Sequence, residues 1–261
     1  MKTKIMGILN INSDSFFEGS RTAVHEAKER IVQMINDGAD MIDIGALSSR
    51  PGSEMINEEE ELQRVRGVFD LVKKERLHEK AVFSLDSYSP LTLDYALNCG
   101  FKIVNDITGL SNDDVCVIAK KYNAAVCIMH MKGEPKSMQT NPEYSDIVKE
   151  VDDFFKERVE KARSFGIKDI ILDVGIGFGK KLEHNIALIK HHRYFTHFGY
   201  PLLIGASRKS MISDICEAPI KERLAGTIIV HAQAVRNGAS IVRCHDVKEH
   251  VQAMRVFEAL T

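Results

Sequence analysis

The residues of this chain that could do chemistry stand at the ends of short apolar runs. AVFSLD (81–86) ends on Asp86, KIVND (102–106) on Asn105 and Asp106, AVCIMH (125–130) on His130, and DIILD (169–173) on Asp173. KIMGIL (4–9) leads into Asn10 and Asn12, and MIDIG (41–45) into Ser48, Ser49 and Arg50. PLLIGA (201–206) leads into Ser207, Arg208 and Lys209, and SIVRC (240–244) carries Arg243 towards His245 and Asp246. Two chemical groups emerge. Asp86, Asn105 and Asp173 are acceptors or mixed donor–acceptors; a deep carboxylate suits a flat heterocycle with adjacent N–H donors, such as a 2-aminopyrimidinone edge. Arg50, Arg208, Lys209, Arg243 and His245, with Asn10, are donors, a set that suits a phosphate or pyrophosphate. Arg208 and Lys209 have no carboxylate beside them in the sequence. Enclosed together they would repel and lose hydration, so ligand anions are their expected partners.

The elements that must position these residues follow from periodicity. The eight runs are short, rich in β-branched residues and nearly continuous in apolarity, as expected for strands covered on both faces. Helical patterns separate them. In 57–75, Leu62, Val65, Phe69 and Val72 form a stripe, with acidic residues 58–61 in the first turn and Lys73 and Lys74 in the last. Ile147, Val151, Phe154 and Val159 repeat the stripe in 145–165, and Val247, Val251, Met254 and Phe257 do so in the last helix. Gly38, Gly100, Gly166 and Gly238 are expected left-handed helix caps. Eight strand–helix units in 261 residues predict an α/β protein, a single-domain (β/α)8 TIM barrel spanning 1–261. A doubly wound open sheet is the alternative. In a barrel all these strand ends converge on one rim, where active sites are built.

Each residue alone also has a purely structural reading. Asp106 and Asp246 could cap the helices that follow them. His130 could be a satisfied rim histidine, Lys180 and Lys181 solvated loop charge, and the acidic run 58–61 only a helix start. The glycines of GIGFGK (175–180) fit neither a dinucleotide fingerprint nor a Walker loop. The gathering of carboxylates, amides and cations at one end is what favours a site.

Composition narrows the class. The 44% hydrophobic content supports a sizeable core, and a net charge of −2 implies no bulk attraction to nucleic acid or membrane. No apolar run approaches the roughly 20 residues that span a bilayer. Asn10, Asn12 and Asp14 interrupt the apolar stretch near the start, which argues against a signal peptide. The five dispersed cysteines, without a C-x-x-C pair, read as reduced thiols of a cytoplasmic protein and make zinc an unexpected ligand.

Eight stretches then carry a resemblance. MGILNINSDSFFEG, DIGALSSRPGSE, SLDSY, VNDITGL, CIMHMKGEPKSMQ, LDVGIGFGKKLEHN, LIGASRKSMI and IVRCHDVKEH occur in the order and at the intervals of the dihydropteroate synthases. The chain resembles that family over nearly its full length. The resemblance implies a (β/α)8 transferase of folate biosynthesis. Such an enzyme joins 6-hydroxymethyl-7,8-dihydropterin diphosphate to p-aminobenzoate, giving 7,8-dihydropteroate and pyrophosphate. By the family pattern Asp86, Asn105 and Asp173 would hold the pterin, with Met129 packed in that pocket. Lys209 would bond the pterin and border the amine site, and Arg243 would stack on the ring. Ser49, Arg50, Arg243 and His245 would hold the diphosphate, and Asn10 would ligate Mg2+. Phe178, Pro51 and Ser210 would flank p-aminobenzoate. Asp86, Asp173, Lys209 and Arg243 are the expected catalytic groups: the carboxylates stabilise a pterin cation and the cations the departing pyrophosphate. A homodimer through helices late in the barrel, using residues 224–235, is also implied.

The chain departs from the family in two loops. Asn12 and Ser13 stand where Thr-Pro is usual, and Ala46, Leu47 and Ser49 where Gly, Glu and Thr are usual. Val174 and Ser87 replace a common Pro and Thr. The two loops belong to the p-aminobenzoate side in this family, so they bear on binding of that substrate and on sulfonamide response. Three other readings compete. A methyl-tetrahydrofolate-binding methyltransferase barrel would have no diphosphate to hold, which SRKS and RCHD argue against. A pterin-binding protein that has lost synthesis through its altered loops is the second. A generic phosphate-binding barrel is the third, and eight ordered motifs weigh against it.

Overall fold

The apolar runs fold as strands because their side chains alternate between two hydrophobic surroundings. The computed structural model describes residues 2–11, 21–45, 57–133 and 138–261. Its strands are β1 (Lys4–Asn10), β2 (Met41–Gly45), β3 (Val82–Asp86), β4 (Ile103–Asp106), β5 (Ala125–Met129), β6 (Ile170–Asp173), β7 (Leu202–Ile204) and β8 (Ile241–Cys244). Each pairs in parallel with its sequence neighbours, and β8 closes on β1 with Ile241 opposite Lys4. The helices are α1 (Arg21–Asn36), α2 (Glu58–Lys74), α3 (Pro90–Asn98), α4 (Asp113–Tyr122), α5 (Ile147–Ser164), α6 (Leu182–Lys190), α7 (Ser210–Cys216), α8 (Leu224–Arg236) and α9 (Val247–Leu260). The closed eight-stranded barrel is the architecture expected, and the open doubly wound sheet is excluded by the β1–β8 pairing.

The period of two sorts the side chains. Met41, Ile103, Ile171 and Ile241 belong to a small buried cluster inside the barrel, while Ile42, Val104, Leu172 and Val242 join the larger core shared with the helices. Two residues beyond each of those four inner side chains stand Asp43, Asn105, Asp173 and Arg243. The inward face therefore changes from apolar to polar towards the C-terminal ends of these strands.

The helices form largely as their patterns indicate, with local shifts of face. Asn57 caps α2, its side chain accepting from the Glu60 N–H at 2.8 Å. In α5 the buried stripe is Ile147, Val151, Phe155 and Val159, so Phe155 takes the core position expected of Phe154. In α2 Leu62 is only half-buried, and in α9 Val251 and Phe257 are too; Val68 and His250 are buried instead. Gly38, Gly100, Gly166 and Gly238 have φ of +98°, +101°, +77° and +99°, as expected of caps. The aromatic connector after α6 is a 3-10 helix over His192–Phe198. It packs Phe195 and Phe198 edge-on against Phe155 of α5, which explains its composition.

The GIGFGK loop owes its glycines to close approach. A Cβ on Gly175, at φ +68°, would lie 2.0 Å from the His130 carbonyl oxygen. One on Gly179, at φ +61°, would lie 2.2 Å from that of Lys132. The loop after β6 thus presses its backbone onto the end of β5, and no phosphate cradle is needed to account for it. Gly175→Ala combines a left-handed φ with a backbone clash, so a loss of several kcal/mol of stability is expected, on the order of 3. Chemical denaturation of the variant checks this.

Candidate active site

The strand register sets the inner rim side by side. Asn10 lies opposite Gly45, Gly45 opposite Asp86, and Asp86 opposite Asn105, across β1 to β4. Met129 lies opposite Asp173 across β5 and β6. Gly45 contributes no side chain; a Cβ there would sit 3.5 Å from Asp86 Cβ and 3.6 Å from Asn10 Oδ1. A cradle is left between the amide and the carboxylate.

Arg243 joins the two sides of the barrel. Its Nε donates to Asp43 Oδ2 at 2.6 Å, and its terminal nitrogen donates to Asp86 Oδ2 at 2.7 Å. Asn105 Nδ2 donates to the same Asp43 oxygen at 2.9 Å. Asp43 is fully buried, and its Oδ1 has no hydrogen-bond partner among the described residues. Asp43 escaped the sequence reading because it lies inside a strand, not at its end. The signal was present: a carboxylate in the middle of an otherwise apolar five-residue strand demands a buried partner.

Asp173 and Arg243 flank Gly205, whose absent Cβ would lie 3.9 Å from Asp173 Oδ2 and 3.9 Å from Arg243 Cβ. Asp173 Oδ1 accepts from the Gly175 N–H at 2.8 Å. Lys209 donates to the Ile176 carbonyl, and its Nζ lies 4.3 Å from the centroid of the half-buried Phe178 ring. Met129 is buried, with its Cγ 3.3 Å from the position of a Cβ on Gly175. So Asp86, Asn105, Met129, Asp173, Lys209 and Arg243 converge, with Phe178 at their edge. Ser210 opens α7 and is exposed. His245 is tied to the end of β7: its N–H donates to Ser207 Oγ at 3.2 Å and its Nδ1 lies 2.9 Å from the same oxygen. Ser49, Arg50 and Pro51, together with Asn12, Ser13, Ala46 and Leu47, lie outside the described residues.

The electrostatics follow from burial. Burial pushes the Asp86 carboxyl up to about 7, against the pull of Arg243, while Asp43 adds to the rise. Burial raises Asp173 too, opposed first by Lys209. Lys209 is pushed down to about 8 by burial, with Asp173 opposing. Burial also works against the Arg243 charge, but Asp43 and Asp86 outweigh it and hold the guanidinium above its ordinary range.

Several residues take other roles than the sequence suggested. Arg208 is not waiting for a ligand anion. Its guanidinium pairs with Asp246, Nε to Oδ2 at 3.0 Å, a carboxylate 38 residues away in sequence. Asp246 precedes α9 but makes no side-chain cap there. Asp106 is structural, though not as a helix cap. Its carboxylate accepts from the Thr108 N–H, the Thr108 hydroxyl and the Leu110 N–H, ordering the turn after β4. Lys180 is not solvated: it is 3% exposed, and its Nζ reaches His130 Nδ1 at 2.9 Å and the carbonyls of His130, Gly175 and Phe178 at 3.1, 2.9 and 2.9 Å. His130 is the satisfied rim histidine, and burial with the Lys180 charge lowers its pKa to about 2.

Residues 6–245 match the pterin binding enzyme family. The chain is 43% identical over 98% of its length to the bifunctional dihydropteroate synthase/dihydropteroate reductase of Helicobacter pylori, covering 68% of that protein. It is 41% identical over 98% of its length to the dihydropteroate synthase of Escherichia coli, covering 90% of it. The crystal structure of the Yersinia pestis dihydropteroate synthase with a sulfonamide drug superposes with a TM-score of 0.92 at 37% identity, over 99% of this chain and 94% of that one. The chain therefore belongs to the dihydropteroate synthase family of pterin binding enzymes.

Proposed function

We propose that this chain condenses 6-hydroxymethyl-7,8-dihydropterin diphosphate with p-aminobenzoate, releasing pyrophosphate. The observation that carries the reading is the rim itself: Asp43, Asp86, Asn105 and Asp173 share one barrel mouth with Arg243 and Lys209. Asp86, Asn105 and Asp173 accept the N–H donors of the pterin edge, and Met129 packs on its face. In the reaction the bond between the pterin methylene carbon and the diphosphate oxygen breaks, and its electron pair leaves with pyrophosphate. The amine nitrogen of p-aminobenzoate forms the new C–N bond and gives up one proton. Positive charge on the pterin in that transition is stabilised by the fixed carboxylates Asp86 and Asp173. Arg50 and Arg243 neutralise the diphosphate and Ser49 and His245 help to hold it; Lys209 bonds the pterin and borders the amine site, which Phe178, Pro51 and Ser210 flank.

Asn10 fits a magnesium role. Its amide oxygen faces the cradle beside Gly45, and a hard oxygen donor of this kind, supplemented by substrate phosphate oxygens and water, suits Mg2+. When bound, the ion would neutralise charge on the leaving diphosphate. A homodimer through α8, where Ile229 is 70% exposed, and a cytoplasmic site of action complete the reading. No helix among the described residues is long and apolar enough to cross a membrane.

A coupled pyrophosphate-release assay tests the function. Release that requires the pterin diphosphate, p-aminobenzoate and Mg2+ together supports it. Pterin binding without release favours the non-catalytic binder. Lys209 adds a pH signature. Its pKa of about 8 lies below the ordinary lysine range, so its charge is present below about pH 8 and is lost as pH rises through that value. The expected result is a fall in kcat/KM above about pH 8, and in Lys209→Arg a residual activity lacking that limb.

A further inference from the structure

The buried stripe of α8 is polar where a barrel helix is ordinarily apolar. Thr227 and His231, one turn apart, are fully buried, and so is His250 of α9. Groups of this kind need partners. Theirs lie in the turn 206–209, which leads from β7 to α7 and ends on Lys209. The turn closes through the Lys209 N–H, which donates to the Ala206 carbonyl at 3.2 Å. Arg208 stands in it at φ +57°, a left-handed conformation that a residue with a side chain keeps only where its surroundings hold it. Helix α8 supplies the hold. The Ala206 N–H donates to His231 Nε2 at 3.0 Å, and the Arg208 N–H donates to Thr227 Oγ1 at 3.1 Å. The Thr227 hydroxyl proton goes to the Arg223 carbonyl at 2.7 Å, which leaves its oxygen to accept. Arg223, at the start of the helix, donates to the Arg208 carbonyl at 3.1 Å.

The chain of bonds runs on from His231. Its Nδ1 lies 2.9 Å from His250 Nε2, and His250 Nδ1 lies 2.6 Å from the Asp246 carbonyl oxygen. The two ends fix every proton between them. A backbone N–H only donates, so His231 Nε2 is bare and its proton sits on Nδ1. That proton points at His250 Nε2, which is bare in turn, and the His250 proton on Nδ1 meets a carbonyl that only accepts. A second proton on either ring would set N–H against N–H, so both imidazoles are neutral. Burial lowers the pKa of each ring. His250, Lys209 and His245 add to the effect at His231, while Asp246 and Glu249 oppose it at His250. The bridge ties the end of β7 to the start of α9, beside the Ser207–His245 and Arg208–Asp246 pairs. We propose that Thr227 and His231 are positioning residues for Lys209, and that His250 extends the same clamp to the loop of His245. All three act through the backbone of these loops, not on substrate.

That Lys209 serves the pterin rests on the synthase reading, and the test separates the two. Nitrogen NMR spectra of isotope-labelled histidine rings in the full chain at pH 7 are expected to show His231 and His250 neutral, with the proton on Nδ1. Their signals are assigned by loss in His231→Gln and His250→Gln. The carbon shift of Lys209 Cε, assigned by its loss in Lys209→Arg, is titrated in parallel. Its midpoint, about 8 in the parent, is expected to rise above about 9 in His231→Leu, where the released turn admits water to the ammonium. In the same variant kcat/KM for the pterin diphosphate should fall about tenfold. His231→Gln, whose amide oxygen can take the Ala206 N–H, should restore most of both. Thr227→Val, which removes the acceptor of the Arg208 N–H at nearly constant shape, should raise the midpoint too. A protonated ring or an Nε2–H tautomer at either histidine would overturn the proposal. So would a glutamine variant as impaired as the leucine one, or an unchanged Lys209 midpoint in His231→Leu. If His231→Leu does not fold, the midpoint in Thr227→Val decides in its place. Should the parent chain release no pyrophosphate, the synthase reading fails by itself. The ring tautomers and the Lys209 midpoints, which need no turnover, then still decide the clamp.

Discussion

Arg243→Met should be the most damaging single change to this protein, in both stability and turnover. The guanidinium is the common partner of Asp43 and Asp86, at 2.6 and 2.7 Å, and both carboxylates are buried. Removing it leaves two like charges in one low-dielectric pocket, and breaking such a buried pair costs about 3–5 kcal/mol. The carboxylates can escape by taking up protons, but protonated they no longer accept from a ligand or stabilise a cation. Turnover is expected to fall about 10^3-fold or more, from loss of the diphosphate's cation and of both charges together. Urea denaturation with single-turnover kinetics checks the two effects. Adding Asp43→Asn should recover part of the stability by removing one stranded charge, and recover none of the turnover. A single variant with near-parental stability would show that Arg243 is not the keystone of the pocket.

Asp86→Asn should separate function from stability. The sign follows from its raised pKa. A carboxyl at about 7 in the folded chain and near 3.8 unfolded favours the protonated form on folding. Its ionisation therefore costs stability progressively as pH rises from 3.8 through 7. Asparagine removes that cost, and Arg243 keeps Asp43 as its partner. The melting temperature at pH 7.5 is expected to be unchanged or higher. Turnover is expected to fall about 10^2- to 10^3-fold, since a neutral amide cannot stabilise the developing pterin cation. Thermal melts and kcat measured on one preparation decide it. Loss of stability without loss of turnover would move Asp86 from the chemistry to the scaffold.

Both expectations depend on residues whose legibility in the sequence differed. Asp86, Asn105 and Asp173 were readable because each ends a short apolar run, and a parallel barrel collects strand ends on one rim. Counting by two from the apolar inner residues distinguishes Asn105 from Asp106: Ile103 faces the barrel interior and so does Asn105, whereas Asp106 turns outward to order its own loop. Asp43 obeys the same parity but lies mid-strand, where a rule based on strand ends could not find it.

Periodic and local features were legible in the chain: eight strands, the glycine caps, most of each helix stripe, and the rim on which polar groups gather. These depend on neighbours a few positions apart, whose spacing is written in the chain. The pairing of charges far apart in sequence came from the folded arrangement. Arg208 found Asp246, Arg243 found Asp43 and Asp86, and Lys180 found three carbonyls and a histidine. Such pairs form because barrel closure brings strand ends together and burial withdraws water, so each buried charge must take the partner that geometry offers.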